Sequence, residues 1–93
     1  MNDLLSKINA IEKSTSWNDE SAYSFIHQGV SELLSRDVQI LFQLLYRIDV
    51  KENLVKEAFQ QSELSDDLAH RLTELILVRL KQKAEMRRRY SSE

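Results

Sequence analysis

The sequence predicts an all-α protein, a compact bundle of four to five helices ending in a long carboxy-terminal helix. Three observations lead there. The 93 residues include no proline and a single glycine, whereas strands, hairpins and long loops draw on both residue types at their turns. Apolar residues recur every three or four positions along most of the chain, the period of a helix face. A content of 42% hydrophobic and 30% charged residues supplies a core and a solvated surface together, which sets the chain apart from disordered and membrane classes. Residues 1–93 make a single domain by length, with a radius of gyration of roughly 12 Å when packed.

The elements follow in order. Leu4, Leu5, Ile8 and Ile11 predict a short amphipathic helix over 3–13, which runs out in Ser14-Thr15-Ser16-Trp17-Asn18, side chains that compete for backbone hydrogen bonds. Asn18 or Ser16 is placed to cap the next helix, with Asp19 and Glu20 in its positive first turn. On that helix Ala22, Ile26, Gly29, Val30 and Leu33 share one face. The glycine inside this stripe suggests close approach of a neighbouring helix, a nearby helix end being the rival reading. Ser35 and Asp37 offer a cap and an early acid before Val38–Ile48, where only Arg36, Gln39, Gln43 and Arg47 form a polar strip. This densest apolar segment is expected at the centre of the bundle, as a separate helix or one kinked near Ser35.

Asp49-Val50-Lys51-Glu52 has the spacing of a capping box and predicts a helix over 50–61. Ser65, followed by Asp66 and Asp67, starts the last helix. Running to about Tyr90 it would measure roughly 37 Å at 1.5 Å per residue, longer than so small a domain is wide, so residues 81–93 are expected to project. It carries two apolar stripes: Leu64, Leu68, Leu72, Leu75 and Ile76, resumed by Met86 and Tyr90; and, roughly opposite, Thr73, Leu77, Leu80 and Ala84. The second has the four-three-four spacing of paired helices and is the expected dimer seam.

Charge is unevenly distributed. Residues 1–64 hold ten acids and six bases, residues 65–93 five acids and seven bases. Arg79, Lys81, Lys83, Arg87, Arg88 and Arg89 face only Glu85, a patch able to meet phosphates or an acidic protein. Bases in a helix's last turns are also favoured by the macrodipole, and the pI near 5.7 lies far below that of nucleic-acid domains. A solvated helix end is the preferred reading of these bases, and nucleic-acid association the alternative function. A helix-turn-helix over 50–80 is set aside, because its second helix is apolar on both faces and leaves little for base edges.

Catalytic and cofactor chemistry find little purchase. Without cysteine there is no disulfide, thiolate nucleophile or cysteine metal site. Asp66, His70 and Glu74 share i, i+4 spacing, but no further histidine or cysteine completes a metal site, so no metal is expected. No serine lies in a Gly-x-Ser-x-Gly setting and no glycine-rich loop cradles phosphate. No amino-terminal run reads as a signal peptide, and no apolar run approaches the roughly 20 residues of a membrane span, so a cytoplasmic address is expected.

The stretch Leu44-Leu45-Tyr46-Arg47-Ile48-Asp49-Val50, followed after two caps by an apolar helix ending in lysine and arginine, resembles small uncharacterised all-helical bacterial proteins over residues 38–90. The resemblance implies a helical fold and a bacterial cytoplasm, and carries no activity, cofactor or site. The expected function is therefore a non-enzymatic structural or protein-interaction module, pairing with a second copy through Thr73, Leu77, Leu80 and Ala84.

Overall fold

In the computed structural model, which describes residues 19–91 and the side chains of 20–86 apart from that of residue 65, the fold is all-α. The described residues form α1 (Asp19–Arg36), α2 (Val38–Arg47), α3 (Glu52–Gln61) and α4 (Ser65–Ser91). The expected helix over 3–13 and the caps at Ser16 and Asn18 lie outside the described residues.

α1 passes straight through Gly29, which keeps a negative φ and is half-buried, and continues to Arg36. A helix end at the glycine is thereby excluded. Ala22, Ile26 and Val30 are buried, as their spacing of four requires. α1 and α2 are separate helices. The boundary residue is Asp37, extended at φ −157°, whose carboxylate accepts from the Ile40 N–H at 3.3 Å. Asp37 caps α2, and Ser35 does not: its hydroxyl turns back to the Ser31 and Glu32 carbonyls in the last turn of α1.

The expected capping box at Asp49 is also replaced. Asp49 adopts φ 66°, left-handed backbone that aspartate tolerates better than most residues. α3 starts at Glu52 behind Lys51, whose side chain makes no capping bond. Asp49 instead meets Arg79 of α4, Nη2 to Oδ2 at 3.3 Å, while the Arg79 Nε donates to the Ile48 carbonyl at 3.1 Å. One guanidinium thus anchors the α2–α3 turn on the last helix. At the other end of α3, Arg71 reaches Gln61 and Asp67.

The long helix α4 shares the centre of the bundle with α1, rather than α2 holding it as the apolar density of Val38–Ile48 suggested. The most extensive interface of α4 is with α1, and it also packs against α3. The middle of both stripes is consumed in this way: Leu72 and Ile76 on one side, Thr73, Leu77 and Leu80 on the other, are buried, while Leu64 and Met86 at the ends of the first stay exposed. Each fully buried leucine or isoleucine contributes about 1.5–3 kcal/mol of transfer free energy. The Thr73 hydroxyl is satisfied at 2.6 Å by the Ala69 carbonyl one turn back, so its polarity adds no unpaired group to the core. α2 is peripheral by comparison, burying Leu41, Leu44 and Leu45.

The molecule measures 45 × 26 × 22 Å with a radius of gyration of 13.3 Å. Twenty-seven residues of α4 span about 40 Å at 1.5 Å per residue, nearly the whole long axis. Among the described residues no helix is long and apolar enough to cross a membrane.

Candidate docking groove

With α4 buried on two sides, the expected pairing stripe changes meaning. Thr73, Leu77 and Leu80 are interior and Ala84 is half-buried. Presenting this stripe to a second copy would require opening the core in which it lies. The four-three-four spacing is real, but the helix it pairs with belongs to the same chain.

The basic set is likewise divided. Arg79 is committed to Asp49 and Ile48, with Nη1 on Gln82 at 3.3 Å. Lys81 is exposed and Lys83 half-buried, and neither lacks a partner. Arg87, Arg88 and Arg89 continue the α4 backbone, their side chains outside the description.

Both histidines gather on Tyr23. Its ring stacks on His27 at 5.4 Å between centroids, and its hydroxyl shares a 2.5 Å hydrogen bond with His70 Nδ1. His70 Nε2 lies 3.8 Å from Glu74 Oε1. A neutral His70 protonated on Nε2 fits these contacts, accepting from the phenol on one nitrogen and facing the carboxylate with the other. Burial, with the Glu74 carboxylate adding to it, raises the Tyr23 pKa above its ordinary 10.0. The phenol therefore stays protonated and donates, where a nucleophile would need the opposite shift. This line of groups latches α1 to α4. Among the described residues no group of three or more histidine, cysteine, aspartate or glutamate side chains is placed to hold a metal ion.

Two concavities of about 410 Å³ flank the bundle. One lies between α1 and α4, lined by Glu20, Tyr23, Glu74 and Lys81 among others. Its lining is the more polar of the two, and its charged residues are already engaged. The other lies between α2 and α3. Phe42, Leu45, Val50 and Val55 make its apolar floor, Tyr46 one wall, and Glu52 and Lys56 its charged rim. The Phe42 ring stacks on Phe59 at 5.4 Å and 28°, which fixes one side of the groove. Tyr46 is 69% exposed and Phe42 37%. Glu52 and Lys56 form an i, i+4 ion pair at 3.8 Å, with side chains 63% and 70% exposed. At such exposure the pair contributes about 0.3–0.5 kcal/mol, so it holds neither residue strongly.

None of these groove residues stood out in the sequence as a site. The signal was present in α2: Val38, Phe42 and Tyr46 recur every four residues and are all exposed, a line beside the buried face rather than within it. Compared with protein-family models, with curated proteins and with solved structures, the chain matches none.

Proposed function

We propose that this chain is a non-enzymatic helical module that binds protein in the cytoplasm, and that its working surface is the groove between α2 and α3. The observation that carries the reading is Tyr46, 69% exposed beside a hollow floored by Phe42, Leu45, Val50 and Val55. Among the described residues Tyr46 and Phe42 leave apolar surface exposed beside this hollow, surface that a protein partner can bury. Tyrosine suits such a place, because it contributes a large, rigid apolar body with a polar tip at low entropic cost. A volume near 410 Å³ accommodates anchor side chains of the kind that dominate interface energetics. Binding is the use to which this exposed apolar surface is suited, and the line of Tyr23, His70 and Glu74 serves to join α1 to α4. The cytoplasmic assignment rests on the cysteine-free composition.

Photo-cross-linking in the host cell tests this directly. A photoreactive phenylalanine analogue in place of Tyr46 is expected to give a discrete protein adduct, which the same analogue at exposed Glu63 does not give. Failure to form that adduct, or equal and diffuse labelling from both positions, overturns the reading.

A further inference from the structure

We infer that the occupant of the groove is a second copy of this chain, related by a two-fold axis, with each Tyr46 seated in the other copy's groove and each Glu52 paired with the other's Lys56. The inference rests on the groove being the docking surface and goes beyond it by naming the partner. A two-fold interface sets one surface against itself, so that surface must be complementary to itself in shape and in charge. The α2–α3 groove meets both conditions. In shape it carries a projection and a hollow side by side: Tyr46, 69% exposed, borders a cavity of about 410 Å³ with an apolar floor. Two copies turned through a half-rotation place each ring over the other's hollow.

In charge the rim is balanced, with one acid and one base, Glu52 and Lys56, one helical turn apart on α3. Two α3 helices meeting antiparallel about the axis bring Glu52 opposite Lys56 twice over. A uniformly acidic or basic partner would leave one of these charges against its own sign, which is unfavourable across an interface. The internal pair is long, at 3.8 Å, and exposed, so exchanging it for an intermolecular one gives up little. Interaction with a copy of itself is also reached without Leu77 and Leu80, which stay in the core.

The test uses the full chain and the two rim residues. Sedimentation from micromolar to millimolar concentration should show the mass rising from 10.9 kDa toward twice that value. Glu52→Lys and Lys56→Glu should each weaken self-association by about tenfold or more, since each sets like charges face to face, while circular dichroism reports an unchanged fold. Mixing the two variants in equal amounts should restore association. The internal pair is absent from both variants, so recovery on mixing can arise only between copies. Tyr46→Ala should abolish association by itself. A wild-type chain that stays monomeric at millimolar concentration, or variants that do not recover on mixing, overturns the inference. A discrete cross-link from position 46 to a protein of another mass would then leave the docking groove standing and remove only the second copy.

Discussion

Arg79 of α4 reaches across to Asp49, thirty positions earlier in the chain, and its Nη2 lies 3.3 Å from the Asp49 Oδ2 while its Nε donates to the Ile48 carbonyl. The two contacts are unequal. The carboxylate is 81% exposed, and an exposed ion pair contributes at most about 1 kcal/mol. The carbonyl bond is partly buried and has a charged donor, a class that contributes about 1.5–3 kcal/mol. Arg79→Ala is therefore expected to lower unfolding free energy by about 1.5–3 kcal/mol, and Asp49→Gly to be close to neutral, because glycine relieves the φ of 66° as it gives up the ion pair. Asp49→Ala loses the pair without that relief and should lie about 1 kcal/mol below Asp49→Gly. Urea melts of the three variants check the order; an Arg79→Ala protein as stable as Asp49→Gly would show that the guanidinium anchors nothing.

The buried stripe of α4 makes a second prediction, which separates a core from an interface. Leu80 is wholly buried and Leu77 nearly so. Leu80→Ala should cost about 2–5 kcal/mol. Leu77→Glu combined with Leu80→Glu places two unpaired charges in the core and should abolish the cooperative helical melt. A double variant that stays helical and merely changes its oligomeric state would restore the pairing role to these residues.

Helix content and the order of the elements were legible because period and composition act locally. The misplacements arose where tertiary contacts decided. At about 100° per residue, the apolar positions of α2 and Ile48 sweep an arc of roughly 240°, whereas one core face needs an arc of about 100°. Such an arc reads as a central helix. In the structure it is divided, with Leu41, Leu44, Leu45 and Ile48 inward and Val38, Phe42 and Tyr46 outward, and the excess width was itself the mark of the groove. Conversely, the two stripes of α4 read as one core face and one interface, and the middle of both, Leu72 and Ile76 with Thr73, Leu77 and Leu80, is buried where α1 and α3 pack on the helix. Asp49 had the spacing of a capping box, but the residue that claims its carboxylate lies on α4, beyond the reach of any local motif.

The helix starts give a third prediction. Asp37 accepts the Ile40 N–H, so Asp37→Ala should cost about 0.5–2 kcal/mol. Ser35→Ala, at an exposed hydroxyl bonded only to carbonyls of its own helix, should stay within about 0.5 kcal/mol of wild type. Lys51 occupies the cap position of α3 with extended backbone, φ −61° and ψ 132°, and no capping bond. Serine there can supply the missing acceptor, and Lys51→Ser should raise stability by about 0.5–1 kcal/mol. Thermal melts in which Ser35→Ala proves as damaging as Asp37→Ala would contradict this assignment of the caps.

The latch between α1 and α4 makes stability depend on pH in a direction its chemistry fixes. The Tyr23 phenol has its pKa raised above 10.0, by burial first and by the Glu74 carboxylate second. The folded chain thus holds this proton more tightly than the unfolded chain. By linkage the resulting stability is fully present below the unfolded pKa of about 10 and is lost as pH rises through the higher folded value. Deprotonation would also turn the hydroxyl that bonds His70 Nδ1 into an anion beside Glu74. Tyr23→Phe removes both the hydrogen bond and the titration. It should be the less stable protein at neutral pH, by about 1 kcal/mol or less for a bond at an exposed site. The gap should narrow as pH rises from about 9 upward, as wild type loses what the variant never had. Urea midpoints of the two proteins measured across that range decide the matter, and parallel curves would mean that the phenol carries no proton-linked stability.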